Sequence, residues 1–152
     1  MSDPYDRDFY RWANEQAALL RAGMLSQADI AKIAEEIASM GRSEKRELVS
    51  RLEVLLTHLL KWQYQPERRG ASREASIGNT RDALARHMAD NPSLKAKLPE
   101  AMSDACRAAR RTAAAETSKA QSVLAAECPW PFDQAMDENV WPRVRVTYPG
   151  RS

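Results

Sequence analysis

Apolar residues recur at steps of three and four along most of this chain, the period of an amphipathic helix, and not at the alternating step of a strand. Tyr5, Phe9, Trp12, Gln16 and Leu19 form the first stripe, preceded by Asp3 as an N-cap and Pro4 at the first helical position. Ile30, Ile33, Ile37 and Met40 form the second, with Lys32, Glu35 and Ser39 facing away. Leu48, Leu52, Leu55, Leu59 and Trp62 form the third, broadened by Val49, Leu56 and Leu60 into an arc that predicts burial on more than one side. Ile77, Arg81, Leu84 and Met88 mark a fourth helix. Met102, Cys106, Ala109, Ala113 and Glu116 mark a fifth.

Punctuation sets the boundaries. Gly23 is placed as a C-cap, Ser26 with Asp29 resembles a capping box, Gly41 is expected to stop the second helix, and Ser43 to start the third. Proline is absent between Pro4 and Pro66 and frequent after Pro129. The pattern predicts helices over about 4–22, 27–40, 44–65, 73–90 and 99–117, then an irregular tail over 118–152 with a short helical turn at Phe132 to Met136. Val144, Val146 and Tyr148 alternate with polar residues and suggest an extended piece. The expected fold is all-α: a single-domain, compact bundle of about five helices with an irregular Pro-rich C-terminal segment. The third helix is at its centre and the first three are antiparallel neighbours.

Composition supports this and narrows the chemistry. With 25 alanines and only 5 glycines among 152 residues, the chain is unlike a sandwich or barrel. A net charge of +2 gives no general pull toward a polyanion. The longest apolar stretch, Val54 to Leu60, is interrupted by Thr57 and His58, so no membrane span is expected. No secretory signal is evident, and Cys106 and Cys128 lack metal spacing; they read as reduced thiols of a cytoplasmic protein.

The informative residues are polar groups on or beside apolar stripes: Gln16, Glu36, His58, Arg81 and Glu116. A buried charge must be paired. One reading pairs Arg81 with Glu116 or Glu36 and lets Gln16 and His58 complete a buried network. The other opens a polar pocket at Glu36, His58 and Arg81 for a small ligand. No metal is expected: neither His58 nor His87 has a Glu three residues before it, and the adjacent Glu35 and Glu36 diverge on a helix. No nucleophile elbow or phosphate-binding loop occurs, and no cofactor is implied. Arg68, Arg69 and Arg73, with Arg107, Arg110 and Arg111, are candidate phosphate contacts beside Trp62 and Tyr64. Nearby Glu44, Glu47, Glu53 and Glu67 favour a balanced, solvated surface instead. Trp130, Phe132 and Trp141 are expected to staple the tail to the bundle, or, if exposed, to mark a protein-binding surface.

Three long motifs carry a resemblance: Tyr5-Asp6-Arg7-Asp8-Phe9-Tyr10-Arg11-Trp12, then Glu35 through Glu44, then His58-Leu59-Leu60-Lys61-Trp62-Gln63-Tyr64-Gln65-Pro66-Glu67-Arg68-Arg69. Together with Glu127-Cys128-Pro129-Trp130 near the end, they resemble the bacterial domain-of-unknown-function 29 family. The chain departs from that pattern at Arg73, where relatives tend to carry Trp after the Ser, and at Ile77 to Arg81, where relatives are more basic. The resemblance implies a compact all-helical bacterial protein and implies no activity. The functional expectation is a small cytoplasmic protein-interaction or regulatory module that self-associates, without catalysis. The alternatives are a nucleic-acid-associated factor using the arginine clusters, and a ligand-binding or enzymatic bundle.

Overall fold

The structure, a computed structural model, describes residues 3–124 and 126–142. Among these residues there are helices, short 3-10 turns and no strand. They divide into two compact units, one ending at Ser43 and the other starting at Glu44.

In the first unit, aspartates decide where helices begin. Asp3 caps α1 (Pro4–Arg7), its carboxylate accepting the Tyr5 backbone N–H at 3.2 Å. Asp8 then caps α2 (Phe9–Arg21), accepting the Arg11 N–H at 3.1 Å. The single helix expected over 4–22 is therefore two, because Asp8 leaves helical geometry (φ −153°, ψ 84°) to make its cap. Gly23 ends α2 in the left-handed region at φ 72°. Its N–H bonds Leu20 O and the Met24 N–H bonds Leu19 O, the paired closure of a Schellman motif. After a 3-10 turn at Leu25–Gln27, Asp29 and not Ser26 caps the next helix, accepting the Lys32 N–H at 3.2 Å.

That helix, α3 (Ile30–Tyr64), is the main departure from the sequence expectation. The break expected at Gly41–Ser43 does not occur, so the helices expected over 27–40 and 44–65 are one and cannot be antiparallel neighbours. A glycine inside a helix costs only about 1 kcal/mol, too little to stop a favourable one. Ser43 does not cap; its hydroxyl donates back to the Ser39 carbonyl at 3.0 Å, as serine does inside a helix.

In the second unit, the later part of α3 joins α4 (Ala71–Asp90) and α5 (Leu98–Thr117). Lys45 pairs with Glu100 at 3.0 Å and Lys61 with Glu116 at 2.8 Å. Equal steps along both helices mean that α3 and α5 run parallel and in register. The α4 helix runs the other way: Arg73 near its start reaches the Lys61 carbonyl, and His87 near its end reaches that of Glu44. Leu48, Leu52, Leu55, Leu56, Leu59 and Leu60 are closed to solvent, as the broad arc predicted, and pack with Ile77 and Leu84. Each such side chain contributes on the order of 2 kcal/mol. On α5 the innermost column is Ala101, Ala105, Ala109 and Ala113, all fully buried, while Met102 and Cys106 flank it half-buried.

The tail folds back onto this core. Leu124, Trp130 and Ala135 are buried, α6 spans Phe132–Met136 as expected, and the Trp141 ring stacks 4.7 Å from that of Trp62. Val144, Val146 and Tyr148 lie outside the described residues. The reading of Cys106 and Cys128 as reduced thiols is corrected: they form a disulfide, with Cα atoms 5.7 Å apart. Spacing along the chain carried no sign of this, since the pairing depends on the tail returning to α5.

Two outcomes follow from this packing. Cys128→Ser, or reduction of the bridge, should lower stability by up to about 3 kcal/mol, the chain-entropy value for a loop of this length, as read by thermal or urea unfolding. Gly78 lies inside α4 with nothing within 4 Å of where a Cβ would stand. Gly78→Ala should therefore raise stability by about 0.5–1 kcal/mol in the same measurement.

Candidate functional site

Of the five polar residues singled out from the sequence, four have separate partners, each within its own unit, and only His58 and Glu116 lie close enough to interact, Glu116 opposing the fall in the His58 pKa. Gln16 Oε1 accepts the Asp29 N–H at 2.7 Å and so helps start α3. Glu36 accepts from the Tyr5 hydroxyl, and this hydrogen bond holds the phenol above its ordinary pKa. Arg81 is buried and does not pair with Glu116, which Lys61 holds. Its Nε donates to the Ala135 carbonyl at 2.8 Å and its Nη2 to that of Val140 at 2.9 Å, with the guanidinium 5.4 Å from the Trp141 ring centre. Burial pushes its pKa down, and Asp137 and Glu138 oppose that shift. Glu116 is taken by Lys61. His58 is half-buried with Nδ1 enclosed and without a hydrogen-bond partner; burial, then the nearby Lys61, pushes its pKa down.

The arginines divide in the same way. Arg69 donates to the Trp62 carbonyl at 2.8 Å and lies over the Trp62 ring. Arg73 donates to the Lys61 carbonyl and to Gln65 Oε1 at 2.8 Å. Both satisfy groups at the C-terminal end of α3 and are not displayed for phosphate. Arg110 reaches the Gln121 carbonyl. Arg68, Arg107 and Arg111 are exposed. A trough of about 720 Å³ lies between α5 and the tail, floored by Leu98, Met102, Cys106, Trp130 and Phe132 with Arg107 at its edge.

Two other features stand out. The first is a bare face on α3 within the first unit. At 3.6 residues per turn, Ile30, Ala31, Ile33, Ala34, Ile37, Ala38, Met40 and Gly41 occupy one half of the helix. Lys32, Glu35, Glu36, Ser39, Arg42 and Ser43 occupy the other. The half that engages α1 is the polar one, through Lys32 to Asp3 and Glu36 to Tyr5. The stripe expected to be buried is instead largely in solvent: Ile30 is 50% exposed, Ile37 65% and Met40 68%. Periodicity located this stripe, but it cannot tell which surface covers it.

The second feature is a meeting of Glu44 and Glu47 on α3 with His87 on α4. Glu47 is tied to Arg51, whose hydrogen bond holds the carboxylate below its usual pKa range. His87 Nε2 lies 2.9 Å from the Glu44 carbonyl oxygen. Its members lie forty or more residues apart, so spacing along the chain does not signal the group; the antiparallel return of α4 brings them together.

The family model described as Domain of unknown function DUF29 matches residues 4–141. Comparisons with curated proteins and with solved structures give no match.

His58 sets a pH dependence. Its folded-state pKa lies below the ordinary 6.5, so the unfolded chain takes up the proton first as pH falls. Its full contribution is present above 6.5 and is lost as pH drops through that value toward the folded-state pKa. Melting temperature should therefore decline on mild acidification, and His58→Gln should flatten the decline.

Proposed function

We propose that this chain, which belongs to the DUF29 family, is a protein-interaction module that pairs with a second copy of itself through the bare half of α3. The observation that carries this reading is the inverted placement of α3 in the first unit, with its polar half engaged and its apolar half in solvent. Leaving Ile30, Ile37 and Met40 exposed forgoes burial on the order of 2 kcal/mol per side chain, which a partner surface would recover in part.

An identical face is the occupant that this surface fits. Ile30, Ile33, Ile37 and Met40 follow the three-four-three spacing by which one helix packs along another. Ala34, Ala38 and Gly41 beside them allow close approach, and no charge interrupts the face, so two copies related by a two-fold axis meet without like-charge repulsion. The nucleic-acid reading has less support, since Arg69 and Arg73 are occupied with backbone carbonyls. The pocket reading has less still, since Glu36, His58 and Arg81 each have separate surroundings.

Light scattering over a wide concentration range tests this. The expected result is a dimer for the native chain and a monomer for Ile37→Glu with unchanged helical circular dichroism, because burying an unpaired carboxylate costs several kcal/mol. A native chain that stays monomeric at the highest concentration overturns the proposal.

A further inference from the structure

The Glu44, Glu47 and His87 group has a geometry that self-association does not use. Glu44 and Glu47 stand one turn apart on α3 and share a face. The imidazole of His87, only 6% exposed, is brought against them from α4. A carbonyl oxygen can only accept, so the contact between Nε2 and the Glu44 carbonyl places the ring hydrogen on Nε2. In the neutral ring this leaves Nδ1 with its lone pair. Nδ1 lies 3.6 Å from Glu44 Oε2 and 3.8 Å from Glu47 Oε2, within ion-pair range but beyond hydrogen-bond reach. The other oxygen of Glu47, Oε1, is held by Arg51, which orients the carboxylate toward the histidine.

Three lone-pair donors from two helices therefore converge, all within 4.8 Å of one another. Arg51 offsets part of their mutual repulsion from the Glu47 side, and a cation held by the three donors would offset the rest. We infer that Glu44, Glu47 and His87 form a binding site for a divalent first-row transition cation, with Nδ1 and one oxygen of each carboxylate as ligands. The imidazole favours such an ion over magnesium or calcium, which prefer oxygen alone. The hydrogen bond from Nε2 to a backbone carbonyl is the outer-sphere support that metal-binding histidines ordinarily have, fixing both tautomer and ring orientation. Three protein ligands at an accessible surface leave further positions for water. The competing occupant is a proton on Nδ1, which would make His87 an imidazolium paired with the two carboxylates.

Calorimetric titration of the full, disulfide-bonded chain with Zn²⁺, together with long-range proton–nitrogen NMR of the histidine rings, separates the two. The expected result is one saturable equivalent, with the His87 Nδ1 resonance moving on addition of Zn²⁺ while Nε2 keeps its hydrogen. Glu44→Gln and Glu47→Gln should each weaken binding by about tenfold or more, taking the outer-sphere effect as a lower guide. Glu53→Gln, on the same helix but outside the group, should leave it unchanged. Both Gln substitutions are at partly exposed positions, and circular dichroism reports whether the helices persist. Absence of saturable binding, an unmoved Nδ1 resonance, or equal binding by a double Glu44→Gln, Glu47→Gln variant overturns the inference and leaves the proton as the occupant.

Discussion

Removal of the α3 leucine column from water is the constraint on which the second unit depends. Leu48, Leu52, Leu55, Leu56, Leu59 and Leu60 are too broad a set for one neighbour to cover. The α4 helix returns along them with Ile77 and Leu84, α5 runs beside them in register, and the tail adds Leu124, Trp130 and Ala135. The earlier part of the same helix carries a comparable apolar stripe, but the first unit engages its opposite half. The contrast between a covered stripe and an uncovered one is the strongest structural clue to function in this chain.

Three arginines of the second unit serve the main chain, while Arg11, Arg42 and Arg51 pair with acids. Arg69, Arg73 and Arg81 each direct N–H groups at backbone carbonyls, two at the end of α3 and one along the returning tail. A buried guanidinium has five donors and no acceptor, so it can satisfy several carbonyls that a helix end or an irregular segment leaves open. Among the described residues, Arg81 has no carboxylate partner because carbonyls take its place. Its partners are carbonyls of Ala135 and Val140, which have no side-chain signature in the sequence.

The fold class was legible because helical periodicity and alanine richness are local properties, and so were the buried arc of α3, the cap at Gly23 and the turn at Phe132. Four features were not legible, each for a physical reason. The continuity of α3 through Gly41 is a contest between a small intrinsic cost and the favourable helix on either side, and residue type alone does not decide it. The Asp8 break is a contest between two helix starts, settled by a side-chain hydrogen bond. The disulfide and the His87 group depend on which segment returns to which, information that spacing along a chain does not hold. The candidate site was accordingly the least readable part. The polar residues on apolar stripes mostly have separate partners, while the return of α4 gathers Glu44, Glu47 and His87 from positions that looked unremarkable singly.

The alanine column of α5 has a consequence for how this chain can change over time. Ala101, Ala105, Ala109 and Ala113 are closed to solvent, and their smallness sets how near the α5 backbone lies to its neighbours. A leucine in the α3 column can give way to isoleucine or methionine at modest expense, because volume is roughly conserved. An alanine has no apolar neighbour in size to exchange with; anything larger pushes the helix outward, and glycine loosens it. The most ordinary residues in the chain are thus its least mutable, and divergence among related sequences should collect on the leucine side of the core before it touches the alanine side.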